Sequence, residues 1–244
     1  MEPNIGDRFF QETRYTRKNL AAMQVRNESQ RPRLYKDHPG KISVTLPPPL
    51  PPENVLSITE ALQKRRSIRK YSSKALTINQ LSFLLWGTDG VSLTVGDFNL
   101  RTAPSAGALY PIETYILVNR VEGITPGLYH YAVKEHSLES LKEGELGPDF
   151  ARAAMGQRTC AEAPVVFIWT AIFGRTTYRY HERGYRYVYL DVGHIAENMA
   201  LTATAMGLAS CQIGAYFDDE IDTLLCFDGV SESVVYLSVV GYPN

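Results

Sequence analysis

Ser57 to Tyr71 reads SITEALQKRRSIRKY. It opens as a capping box: the Ser57 side chain can accept from the backbone N–H of Glu60, while Glu60 reaches back to the N–H of Ser57. A short helix follows, with Ile58, Ala61 and Leu62 on one face. Its end concentrates charge, because Lys64, Arg65, Arg66, Arg69 and Lys70 surround Ser67. A helix C-terminus attracts one or two cations through its macrodipole. Five around a serine go beyond that, and guanidinium forks converging with a hydroxyl suit a doubly charged phosphate. A solvated basic face is the competing reading.

Downstream, Thr77 and Gln80 form a second capping box. INQLSFLLWGTDG is a helix on Leu81, Leu84 and Leu85, stopped by Gly87 or Gly90. Trp86 reads as core. DGVSLTVGDFNL is a loop or short hairpin. Ala103 to Pro111, APSAGALYP, is a run of small residues that lets backbone approach a flat ligand. The same residues also make an ordinary loop before the strand Ile112 to Val118. GLYHYAVKEHSLESL reads as a hairpin, Pro148 to Gln157 as a short helix, and Ala163 to Phe173 as a strand buried on both faces.

TTYRYHERGYRYVYLD alternates tyrosines with charges and leads into the helix DVGHIAENMALTATAMG. Ala196, Ala200, Ala203 and Gly207 form a small-residue stripe there, suited to close packing. His194 reads as a satisfied structural histidine. LASCQIGAYF approaches a strand, Asp218 caps another helix, and SVVYLSVVGYP closes the chain as a strand. Helices mixed with a largely antiparallel sheet predict an α+β layer design.

Upstream, residues 1–54 read as an extension and residues 55–244 as one domain. GDRFFQETRYTRKNLAAM predicts a single amphipathic helix anchored by Phe9, Phe10 and Leu20. Five prolines between Pro47 and Pro52 impose an extended path. Tyr35, Ile42, Val44 and Leu46 look like side chains meant to be covered.

Composition narrows the function classes. The 244 residues carry a net charge of −1, so the basic cluster stands on a balanced background. Nucleic-acid binding wants a wider basic surface. No apolar run is long enough to cross a membrane. MEPNIGDRFF lacks the apolar segment of a signal peptide. Three unpaired cysteines (Cys160, Cys211 and Cys226) fit a reducing, cytoplasmic setting. The histidines show no metal-binding spacing, so no metal is expected. A dinucleotide fingerprint and a phosphate-binding P-loop are both missing.

Three separated motifs remain: RRSIR after a capped helix, APSAGALYPIE before a strand and GLASCQIGAYFDD after a helix. In this order they resemble the nitroreductase-like FMN flavoproteins over roughly Pro51 to Tyr242. PSAGALYPIE, GLYHY, ERGYRY with LDVGH behind it, and the FFQETRYTR extension resemble the SagB-type, azoline-dehydrogenase-like branch. The resemblance implies a mostly antiparallel sheet surrounded by helices and an intertwined homodimer with two FMN molecules at its interface. It implies that Arg65, Arg66, Ser67 and Arg69 hold the FMN phosphate and ribityl chain. Pro104, Ser105, Ala106 and Gly107 line the flavin from the partner chain. Gln212, Ile213 and Gly214 sit at the ring. The small-residue stripe fits the dimer core.

The chain departs from its relatives at one informative point. Azoline dehydrogenases carry Lys-Tyr ahead of ERGYRY, and here the pair is Arg179-Tyr180. Arg stays protonated and makes a poor base. The pair is therefore expected on the substrate side, with Arg179 binding an anionic group and Tyr180 orienting it or donating a proton. An interface ion pair is the competing role for Arg179. The implied activity is hydride transfer through flavin N5 to or from a small molecule or peptide. NAD(P)H-driven reduction of nitro compounds or quinones and non-catalytic flavin binding are the alternatives.

Overall fold

The apolar runs become the middle of one sheet. The computed structural model describes residues 4–22 and 32–244, with backbone only at 21 and 22. The helices and strands, in chain order, are α1 Ile5–Glu12, α2 Arg17–Ala22, β1 Ser43–Thr45, α3 Ile58–Lys64, α4 Ile78–Asp89, β2 Val91–Val95 and β3 Phe98–Arg101. They continue with β4 Ile112–Val118, β5 Gly127–Ala132, β6 Ser137–Glu143, α5 Gly147–Ala153, α6 Thr159–Glu162, β7 Val165–Ile172 and α7 Gly174–Tyr180. The last four are α8 Gly184–Ala205, β8 Ala209–Ile213, α9 Asp218–Leu225 and β9 Glu232–Gly241.

The seven-stranded sheet runs β1-β6-β5-β4-β7-β9-β8. Each neighbouring pair is antiparallel, as the α+β reading expects. β4 and β7 lie at its centre and are buried on both faces, so their sequences read as continuous apolar runs. One core face packs Ile116, Phe167 and Trp169 against α4 and α8, and the other packs Tyr115, Ile168 and Leu237 with α5 and α9. Both expected capping boxes form, at Ser57/Glu60 and Thr77/Gln80. β2 and β3 make the short hairpin as a separate two-stranded sheet.

Several expectations need correction. α8 begins at Gly184, within the tyrosine–arginine stretch, because Val188, Asp191, Val192 and Ile195 recur at helical spacing and turn inward, leaving the tyrosines and arginines around the rest of the helix. The stripe Ala196, Ala200 and Ala203 is buried inside this chain, where small residues let α8 lie close to its own core. A Cβ on Gly87 of α4 would meet Thr202 of α8 at 2.6 Å, which shows how close that packing is. His194 is exposed rather than a buried structural histidine. Phe217 occupies the N-cap position expected of Asp218, and Asp218 starts the helix.

The segment before residue 55 is partly integrated into the sheet. β1 pairs with β6, and Leu46 enters the core. Ile42, expected to be covered, is 72% exposed. The single amphipathic helix is two short ones, broken around Thr13 to Thr16. Phe9, Phe10 and Leu20 stay exposed. The anchor is instead Thr13, which is buried. Residues 23–31 of the expected arm lie outside the described residues.

Candidate functional site

RRSIR runs directly off the C-terminal end of α3. Ser67 bridges Ser210 of β8 in parallel, and the Ile68 N–H donates to the Ser210 carbonyl at 3.0 Å. The basic segment therefore lies along the strand that carries Gln212 and Ile213 and leads into Gly214. Arg65 is half-buried and meets Glu197 of α8 at 3.9 Å, a loose pairing. Arg66 turns back, its Nη1 donating to the carbonyls of Gln63 at 3.0 Å and Arg65 at 2.6 Å. That is the helix-end role its position allows. Ser67 and Arg69 are exposed, as is Gly214. Gln212 Nε2 donates to the Ala196 carbonyl at 3.4 Å.

The second group gathers around residues 104–110. Gly107, Ala108 and Tyr110 have φ of 66°, 53° and 44°, left-handed values that only the glycine accepts freely. Asp191 holds this loop. Ser105 Oγ donates to Asp191 Oδ2 at 2.6 Å, and the Ala106 N–H donates to Oδ1 at 3.3 Å. Ser105 Oγ also accepts from the Tyr110 N–H at 2.9 Å, so the serine hydroxyl is fully used by the protein. Burial raises the Asp191 carboxyl above its usual range, and these two hydrogen bonds pull against that shift.

Arg179 and Tyr180 sit over the same loop. A Cβ at Gly107 would meet Tyr180 Oη at 2.6 Å and Arg179 Nη1 at 3.3 Å. Two motifs read separately in the sequence thus converge. The Tyr187 ring stands edge-on to Tyr180 at 4.9 Å between centroids. Among the described residues no carboxylate pairs with Arg179, which is exposed. α8 joins the two groups: Asp191 holds the loop, while Ala196 and Glu197 touch the basic segment and β8.

A buried polar network lies deeper in the sheet. Glu113 meets Arg175 Nη1 at 2.5 Å and His130 Nε2 at 2.9 Å, and His130 Nδ1 meets Glu139 at 2.7 Å. Burial pushes the Glu113 carboxyl up, but the His130 hydrogen bond and the charges of Arg175 and His130 outweigh it and hold it at about 2. Burial opposes charge on His130 too, yet its two carboxylate partners raise it above the ordinary value. Arg175 also donates to the Tyr110 carbonyl at 3.1 Å, tying this network to the end of the 104–110 loop. His38 joins His130 and Glu139 in a group whose donor atoms lie within 4.8 Å of one another, a juxtaposition that spacing in the chain does not reveal.

The sequence pattern described as the nitroreductase family matches residues 62–242. The chain belongs to the nitroreductase family. A protein of Methanocaldococcus jannaschii named as a nitroreductase is 42% identical over 176 residues, covering 72% of this chain and 87% of that one. The trifolitoxin-processing protein TfxB of Rhizobium leguminosarum bv. trifolii is 31% identical over 166 residues, covering 66% of this chain but 44% of TfxB. A solved nitroreductase-type structure from Anabaena variabilis aligns with a TM-score of 0.71 at 27% identity, over 84% of this chain and 42% of that chain. The SagB-type branch indicated by PSAGALYPIE and ERGYRY agrees with the toxin-processing relative. Among the described residues, no helix of this nitroreductase-family protein is long and apolar enough to cross a membrane.

Two residues beside the candidate site escaped the sequence reading. Asp191 is a lone acid on the apolar face Val188, Ile195 and Met199 of α8. A carboxylate at that spacing must find hydrogen-bond donors, and that was the available signal. Tyr15 lies in the N-terminal segment and shares Arg183 with Tyr187, a neighbourhood no local pattern announces.

Proposed function

We propose that the protein is an FMN-dependent oxidoreductase acting on a small-molecule or peptide substrate, as a cytoplasmic homodimer. Residues 55–244 form the flavin domain and residues 1–54 an arm laid on it. The observation that carries this reading is the Ser67–Ser210 bridge, which sets the phosphate-type cluster beside the strand ending at Gln212 to Gly214.

The residues present fit the cofactor. Arg65 and Arg69 offer guanidinium donors not locked to an acid at short range, and the exposed Ser67 adds a hydroxyl, a donor set for a phosphate. Arg66 adds charge while it closes α3. Gly214 is exposed, so the backbone leaving β8 is open to a flat ring. The chemistry FMN supplies when bound is hydride exchange at its N5 atom. Pro104 to Gly107 form the surface of small residues facing that ring, and Asp191 keeps the surface rigid. Tyr180 presents its phenol hydroxyl beside Gly107 as a hydrogen-bond group for the substrate. Arg179 offers its guanidinium to an anionic substrate group. For the dimer, exposed Ile58, Leu62, Tyr189 and Leu190 supply apolar surface on α3 and α8. A second reading is NAD(P)H-driven reduction of nitro compounds or quinones, and the name nitroreductase borne by the Methanocaldococcus jannaschii relative favours the nitro substrate.

Purification tests the proposal. A yellow dimer with about one FMN per chain supports it, and a colourless protein that fails to take up added FMN refutes it. Bleaching of the bound flavin by NADH or NADPH would favour the second reading.

A further inference from the structure

The N-terminal segment reaches the Arg179–Tyr180 site through a continuous chain of contacts. Thr13 closes α1 and is buried. Its Oγ1 accepts from Arg186 Nε at 2.6 Å, and its carbonyl accepts from Arg183 Nη1 at 3.4 Å. Arg186 also donates to the Phe10 carbonyl and lies over the Phe10 ring at 4.6 Å. Two residues further on, Tyr15 joins Tyr187 across the Arg183 guanidinium that lies against both. Arg183 is stacked against both rings, at 5.3 Å from Tyr15 and 5.6 Å from Tyr187. Tyr187 abuts Tyr180, and Tyr180 and Arg179 cover Gly107.

Among the described residues, charge in this region is one-sided. Arg14, Arg179, Arg183 and Arg186 gather where the arm meets α7 and α8. Burial and then the charges of Arg183 and Arg14 depress Arg186, the mark of cations facing one another without neutralisation. The acids nearby are largely engaged or turned outward. Glu12 pairs with Arg8 at 3.2 Å, Asp191 accepts from Ser105 and Ala106, and Glu182 is exposed. Arg183 Nε is buried without a hydrogen-bond partner. A cluster of guanidiniums walled by phenol rings attracts a carboxylate and gives its hydrocarbon part a surface to lie on.

We infer that the N-terminal segment builds one wall of the substrate side, that Tyr15 is a positioning residue acting on Tyr180 through Tyr187, and that the site takes a carboxylate-bearing substrate. The inference rests on the reading of Arg179 and Tyr180 as the substrate side of the proposed oxidoreductase. It makes the arm a specificity element rather than a tail.

The test is calorimetric titration of the full-length protein with benzoate and with benzyl alcohol, which keeps the ring and lacks the charge. Amide exchange at residues 104–110 is followed in parallel. Benzoate should bind at least about ten-fold more tightly than benzyl alcohol, the scale of one favourable charge contact. Arg179→Ala should abolish the preference. Tyr15→Ala should weaken benzoate about ten-fold and speed exchange at 104–110, and Tyr15→Phe, which keeps the ring on Arg183, should recover most of the affinity. Equal binding of the two probes, or none, overturns the substrate class. Unchanged benzoate affinity and unchanged exchange in Tyr15→Ala overturn the role of the arm. FMN content of the same preparations separates the two proposals, since neither probe binding nor exchange requires bound flavin.

Discussion

Asp191→Ala separates local order from global stability, and the structure sets the magnitudes. The carboxylate accepts from the Ser105 hydroxyl at 2.6 Å and the Ala106 N–H at 3.3 Å. Hydrogen bonds to a charged group contribute about 1.5–3 kcal/mol. Against this, Ala108 and Tyr110 are held at φ of 53° and 44°. Each left-handed non-glycine residue costs roughly 1–2 kcal/mol. The carboxylate therefore roughly offsets the strain of the loop it clamps. Removing it releases both, and the net loss should be only about 1 kcal/mol, or about 2–4 °C in Tm for a chain of this size. The loop itself should open readily. A lost clamp of about 2 kcal/mol corresponds to roughly 30-fold faster amide exchange at 104–110, with little change in β4 and β7. Asp191→Asn keeps one acceptor and should fall between. Unchanged exchange at 104–110 would refute the clamp. A Tm loss beyond about 10 °C with faster exchange throughout the sheet would show that Asp191 is a general core residue instead.

Two further predictions follow from the charge arrangement. Arg65→Ala or Arg69→Ala should weaken FMN binding by about 1.5–3 kcal/mol each. Riboflavin, which lacks the phosphate, should lose far less when both are titrated by flavin fluorescence. Equal losses would assign the arginines to the fold. Glu113 sits at about 2, below its usual 4.5, so its contribution to stability is complete above pH 4.5 and is lost as pH falls towards 2. That contribution is on the order of 3 kcal/mol. His130 is shifted the other way, so its contribution is complete below about pH 6.5 and disappears as pH rises through its raised value. Urea unfolding of wild type and Glu113→Gln across pH 3 to 8 should show the two stabilities converging in acid. A constant gap would contradict the assignment.

Local rules were legible in the sequence, and long-range ones were not. The boxes at Ser57 and Thr77 could be read because a cap is complete within four residues. β4 and β7 could be read because burial on both faces leaves an unbroken apolar run. The start of α8 was hidden because its tyrosines and arginines alternate in the text and mask the three- and four-residue spacing of Val188, Asp191, Val192 and Ile195. The strand expected between the long helix and α9 is β8, which pairs with β9, although its small residues Ala209, Ser210 and Cys211 hid where it begins. At the candidate site, Arg65 to Arg69 stood out by charge, while Gln212 to Gly214 entered only through the family resemblance. Their adjacency was not legible, because it depends on the Ser67–Ser210 bridge. Asp191 and Tyr15 act on residues distant in the chain, and no spacing reports that.

The two outer strands of the sheet have a consequence for how the chain assembles. β1 can pair only once β6 exists, and Ser67 can bridge only once β8 has been made. Lys36 likewise waits for Glu232, which it meets at 2.5 Å. Elements made early in this stretch of chain are thus among the last to find their places. Closing such long loops is slow, and until it happens both borders of the sheet offer unpaired backbone to other chains. During synthesis the nascent protein is a candidate for chaperone capture, and conditions that stall translation before β9 should yield aggregates rather than a soluble half-domain.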